Sequence, residues 1–146
     1  MDKFINQLKI AFASQYAFAI KTQNYHWNVE GIDFYQKHEM FQTIYEEVYG
    51  AVDDFAENIR KLKAYTPASL YRFSALSAVD DELEILDPQS MVAELLADAE
   101  KMQEIMKVLF AEAEARGQHG LSNFLADRQD AFAKHAWFLR STLKVQ

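Results

Sequence analysis

His26 and His38 flank the start of a long helical pattern that further on carries Asp53 and Glu57, one turn apart. Two imidazoles and two carboxylates are ligand types that hold iron or zinc. Their spacing decides how they can meet. From His38 to Asp53 is 15 residues, roughly 22 Å on one straight helix. The two ends cannot share a metal within one subunit. A second copy of the helix, running antiparallel alongside, would bring the histidine end of one chain to the carboxylate end of the other.

The elements that must position these residues are helices. The chain has 146 residues, 50% of them hydrophobic and 14% aromatic, enough for one domain with a real core and too apolar for disorder. Two prolines and four glycines favour long helices over a many-turned β fold. Without cysteine, disulfides, thiolate catalysis and Cys-type zinc sites are excluded. Met1–Asp2–Lys3 leads straight into an amphipathic pattern, so no signal peptide is expected. No apolar run approaches membrane length, and a cytoplasmic protein is the expectation.

Apolar residues at helical spacing predict a first helix over 3–28, with Phe4, Leu8, Phe12, Ile20 and Tyr25 on a wide face. Asp33, with Gln36 three residues on, predicts a capping box for a second helix over 34–63. Gly50, inside that helix, points to close helix packing. Residues 64–86 lack strong periodicity and predict a long connection, with one short helix over 77–83. Asp87–Pro88 marks the start of a third helix, 88–115. The run from Arg116 to Gly120 is a turn into a fourth helix, 121–143. One long crossover between helices two and three gives an all-α, ferritin-like four-helix bundle. The whole chain, 1–146, is then a single domain. Such bundles often carry an intrasubunit site marked by Glu-x-x-His pairs. This chain has none, which sharpens the case for a site between subunits.

Asn24–Tyr25–His26–Trp27–Asn28–Val29–Glu30–Gly31, then Phe34, His38–Glu39–Met40–Phe41 and the run from Asp53 to Arg60 resemble the signature of the Dps family, "DNA protection during starvation". The resemblance continues through 87–115 and through Asp127–Arg128 to Lys134, Trp137 and Leu139. It implies a hollow homododecamer built from twofold dimers. Its ferroxidase sites would take His26 and His38 from one subunit and Asp53 and Glu57 from the other. Iron, as Fe(II), would be oxidised preferentially by hydrogen peroxide and stored as ferric mineral, with protection against oxidative damage. Trp27 falls at the family's position beside the site, for interface packing or redox protection.

Three departures stand out. Where the family usually has Asp, four residues after the second histidine, this chain has Gln42. A neutral amide is a poorer iron ligand, so one of two metal positions is expected to bind more weakly, or to be completed by Glu39, Glu46 or water. A shell-forming relative with impaired catalysis is one alternative. The family's acidic pore residues are replaced by Gln118–His119–Gly120–Leu121–Ser122–Asn123, leaving Asp127, Asp130 or His119 to serve. Basic residues near the ends are few: Lys3, Lys9, Arg140 and Lys144. Twelve copies at a net charge of −7 carry −84, which disfavours phosphate contact. DNA binding, the basis of the other alternative (a nucleoid protein giving physical protection), is therefore expected to be weak or absent. His135 is expected to be a packed or surface residue. Glu46–Glu47 and Glu112–Glu114 are expected to be solvated or shell-lining carboxylates.

Overall fold

The computed structural model describes residues 1–144. Val145 and Gln146, which the sequence places just past the last helix, lie outside the described residues. Among the described residues six helices follow in order: α1 (Asp2–Asn28), α2 (Phe34–Gly50), α3 (Val52–Lys61), α4 (Leu70–Leu76), α5 (Pro88–Ala115) and α6 (His119–Leu143). There is no strand among the described residues. α2 and α3 are the two halves of one bent helix, so the four long rods of the bundle are α1, α2–α3, α5 and α6.

Cross-contacts fix their directions. Lys21 meets Asp98 and Tyr25 meets Glu94, so α5 runs antiparallel to α1. Gln15 meets Arg128 and Phe18 packs on Phe132, so α6 runs parallel to α1. The crossover returns along α1: Ala78 N–H donates to Ser14 Oγ, and Asn24 donates to the Glu82 carbonyl. That return makes α2 and α5 parallel, which is why a long connection is needed between them. One contiguous core joins all four rods, with Phe12 edge-on to Phe55 at 5.9 Å and Phe18 edge-on to Phe132 at 5.3 Å. Each such buried ring contributes roughly 1.5–3 kcal/mol.

Local chemistry sets the ends of the rods. Asp87 caps α5 as its sequence predicts, its carboxylate accepting from the Ser90 N–H at 2.9 Å and the Ser90 hydroxyl at 2.7 Å, with Pro88 in the first turn. α5 ends in a left-handed turn: Gly117 has φ +70°, and the N–H of Gln118 returns to the Ala113 carbonyl at 2.9 Å.

Five expectations are corrected. The second helix is not continuous over 34–63: Ala51, at φ −95° and ψ 0°, interrupts it after Gly50. Gly50 does not serve close packing within the subunit, since a Cβ built there meets nothing within 4 Å. The short crossover helix is 70–76, not 77–83, because Ser69 caps it by accepting from the Arg72 N–H at 3.2 Å. Asp33 stands at the start of α2 but forms no capping bond; its φ of −104° and ψ of 31° turn the carboxylate to Lys37, at 3.6 Å. α6 also begins two residues early, at His119.

Candidate metal centre

His26 lies in the last turn of α1 and His38 in the second turn of α2. The turn between them brings the two rings together. Gly31 makes it possible with φ +125°, where a side chain is strained. Val29, 1% exposed, anchors the turn in the core. The imidazoles then stack with centroids 3.8 Å apart and planes 16° from parallel. Phe34 covers His38 at 5.1 Å, and Tyr45 lies 5.3 Å from His26.

The hydrogen bonds are reciprocal. His26 Nδ1 lies 2.8 Å from the His38 carbonyl, and His38 Nδ1 lies 2.6 Å from the His26 carbonyl. A carbonyl only accepts, so both Nδ1 atoms carry protons, and in the neutral rings both Nε2 atoms keep their lone pairs. An Nδ1–H bonded to a carbonyl in this way fixes the ring and its tautomer and so orients a histidine for metal ligation. It also satisfies the His26 carbonyl, one of the last four of α1 that have no partner within the helix.

Asp53 and Glu57 are both exposed, one turn apart on one face of α3. The break at Ala51 places Asp53 in the first turn of a new helix, where a carboxylate is favoured by the helix dipole. Glu57 also lines a cleft of about 540 Å³ between α3 and the start of α6, with Asp54, Lys61, Gln118 and Asp127. Asp127, weighed from sequence as a stand-in for acidic pore residues, therefore shares a cleft with a proposed ligand. His119 is exposed, its Nδ1 3.3 Å from Glu114. Gln42 donates from Nε2 to Glu46 Oε1 at 2.8 Å.

The subunit thus holds two separate half-sets. The histidines meet each other, and the carboxylates share a face. Among the described residues, no three His, Asp or Glu side chains of one subunit lie together as a metal site. Imidazole nitrogen and carboxylate oxygen are donors that suit iron and zinc, but each half alone offers only two.

A second polar centre escaped the sequence reading. Glu47 is not simply solvated: Arg128 grips it with two bonds, at 2.6 and 3.1 Å, and His135 donates from Nε2 at 2.7 Å. Arg128 and His135 are each only 4% exposed, and Arg128 Nε also donates to Gln15 Oε1 at 3.2 Å. Burial alone would raise the Glu47 carboxyl, but the bonds from His135 and Arg128 overcome it and hold the group down to about 2. The signal was present: Leu121, Leu125, Arg128, Phe132, His135 and Leu139 form one helical stripe, so its two polar members face the core and need a partner. Lys21 repeats the pattern between Phe18 and Tyr25. It pairs with Asp98 at 2.8 Å and Glu94 at 3.2 Å, and these contacts hold its ammonium above its ordinary value despite burial.

Comparisons with known proteins agree with this architecture. A family model described as "Ferritin-like domain" matches residues 5–145. Antigen TpF1 of Treponema pallidum is 31% identical over 130 residues, 86% of this chain and 72% of that protein. Its crystal structure superposes with a TM-score of 0.94, covering 99% of this chain and 93% of that one. The DNA protection during starvation protein of Helicobacter pylori is 29% identical over 125 residues, 85% of this chain and 87% of that protein. The DPS protein of Vibrio cholerae, described as a member of a broad superfamily of ferritin-like diiron-carboxylate proteins, has 25% identity and a TM-score of 0.92, over 98% of this chain and 90% of that one. The chain belongs to the ferritin-like family and, within it, to the Dps branch.

Proposed function

We propose that two copies of this chain pair with α2–α3 antiparallel, completing a ferroxidase site from His26 and His38 of one subunit and Asp53 and Glu57 of the other. The observation that carries this reading is the split donor set. The stacked, Nδ1-protonated histidines present two nitrogen donors, and the second half-set is an exposed carboxylate pair on a separate helix. Exposed apolar side chains support pairing: Trp27 is 65% exposed, Tyr49 57%, Leu70 79% and Tyr71 81%. Tyr49 and Leu70 line one cleft with Ile20, itself 44% exposed, and contiguous apolar surface of this kind marks association.

Fe(II) is the substrate. The carboxylates offset its charge, the imidazoles fix its position, and the remaining coordination positions admit the oxidant. Hydrogen peroxide takes one electron from each of two Fe(II) ions and two protons, giving two Fe(III) and two waters. Pairing the electrons in this way avoids releasing hydroxyl radical. The ferric product is stored as mineral inside a shell of twelve subunits, and protection follows from removing Fe(II) and peroxide together. A net charge of −7 per chain opposes contact with DNA phosphates, so protection in this reading is chemical.

The test is anaerobic Fe(II) loading followed by hydrogen peroxide, with ferric absorbance and consumed peroxide both followed. The expected result is about two Fe(II) per peroxide with soluble ferric product. No acceleration over a protein-free control defeats the reading.

A further inference from the structure

We propose that Glu46 is the residue that admits a second divalent cation to the site, with Gln42 as its positioning residue. The inference rests on the two-subunit site proposed above and concerns which further side chain serves it. Charge sets the need. Two divalent ions bring four positive charges, and Asp53 and Glu57 supply two negative ones, because the histidines bind as neutral rings. One ion is then fully offset and a second is not.

Three sources were open for the missing donor: Glu39, Glu46 or water. Glu39 directly follows His38, and neighbours in sequence do not share a helix face. His38, Gln42 and Glu46 do share one, at successive intervals of four residues on α2. Side chains on a helix lean toward its N-terminus, so Glu46 reaches back toward Gln42 and the histidine end. The structure fixes that reach, since Gln42 Nε2 donates to Glu46 Oε1 at 2.8 Å. The amide cannot supply charge, but it holds a carboxylate that can. Oε2 is left for a cation.

Two metal-binding steps of unequal strength follow. The first uses the histidines with Asp53 and Glu57. The second depends on Glu46. Zinc(II) is the probe, because it is redox-inert and separates binding from oxidation. Calorimetric titration of the assembled protein is expected to give two zinc ions per subunit in two steps. Glu46→Gln, which keeps the shape and a hydrogen-bond acceptor for Gln42, is expected to weaken the second step by at least about 10-fold and to spare the first. Gln42→Ala, which only frees the carboxylate, is expected to weaken the second step by about 10-fold or less. The proposal is overturned if Glu46→Gln binds two zinc ions as the parent does, or if both steps weaken equally. Failure of the underlying site looks different: His38→Ala would then leave the first step unchanged.

Discussion

Replacing Glu47 by Gln tests the polar centre that ties α2 to α6. In the folded protein the Glu47 carboxyl is held from its ordinary 4.5 down to about 2. A shift of that size corresponds to roughly 3 kcal/mol. The side chain is 41% exposed, so solvent screening reduces its contribution to about 1–2 kcal/mol. The substitution also leaves Arg128, 4% exposed, with only neutral oxygen acceptors, so the expected total loss is about 2 kcal/mol. For a chain of this size that lowers Tm by about 4–8 °C. The pH dependence follows from the direction of the shift. A lowered carboxyl stabilises fully above its unfolded value and loses that contribution as pH falls toward its folded value. Thermal melts of parent and variant at equal concentration should therefore differ by a constant amount from pH 7 to about 5.5. Below about 4.5 the gap should close, to roughly half by pH 3. No gap at pH 7, or one unchanged at pH 3, refutes the reasoning.

Two other outcomes are expected. Lys21→Ala leaves Asp98, 8% exposed, without its cation and should cost about 3–5 kcal/mol in chemical denaturation; Lys21→Met with Asp98→Leu should recover most of that loss, and no recovery would mean the ion pair itself carries the stability. The assembled protein should not retard plasmid DNA at physiological salt in magnesium-free buffer, given its charge of −7 per chain; a clear shift in a gel would overturn this.

The rods and their order were legible because apolar spacing of three and four residues survives over 20 or more positions, and because Asp87–Pro88 and Gly117 mark ends by chemistry that needs no tertiary context. The bend at Ala51 was not legible, since Gly50 alone does not tell a tight contact from a break. The place of the crossover helix was not legible, since Ser69, Ser74 and Ser77 are equally good caps by residue type and only the backbone at Ser69 lets its hydroxyl accept from the Arg72 N–H. Asp33 shows the limit of capping motifs: residue type suits the role, but the backbone angles assign the carboxylate elsewhere. For the site, spacing separated the histidine and carboxylate half-sets. It gave no hint of the reciprocal Nδ1–carbonyl bonds, which arise only when the 29–33 turn folds His38 back onto His26.

A site shared between subunits makes one demand that no site within a subunit makes. A His26→Ala/His38→Ala variant and an Asp53→Ala/Glu57→Ala variant should each be inactive in Fe(II) oxidation by peroxide. Dissociated, mixed in equal amounts and reassembled, they should recover activity, because each mixed dimer joins intact histidines from one chain to intact carboxylates from the other. Random pairing makes half the dimers mixed with one intact site of two, so about a quarter of parental activity is expected. If the mixture stays as inactive as its parts, although mass measurement shows that the subunits have mixed, the intersubunit site is contradicted.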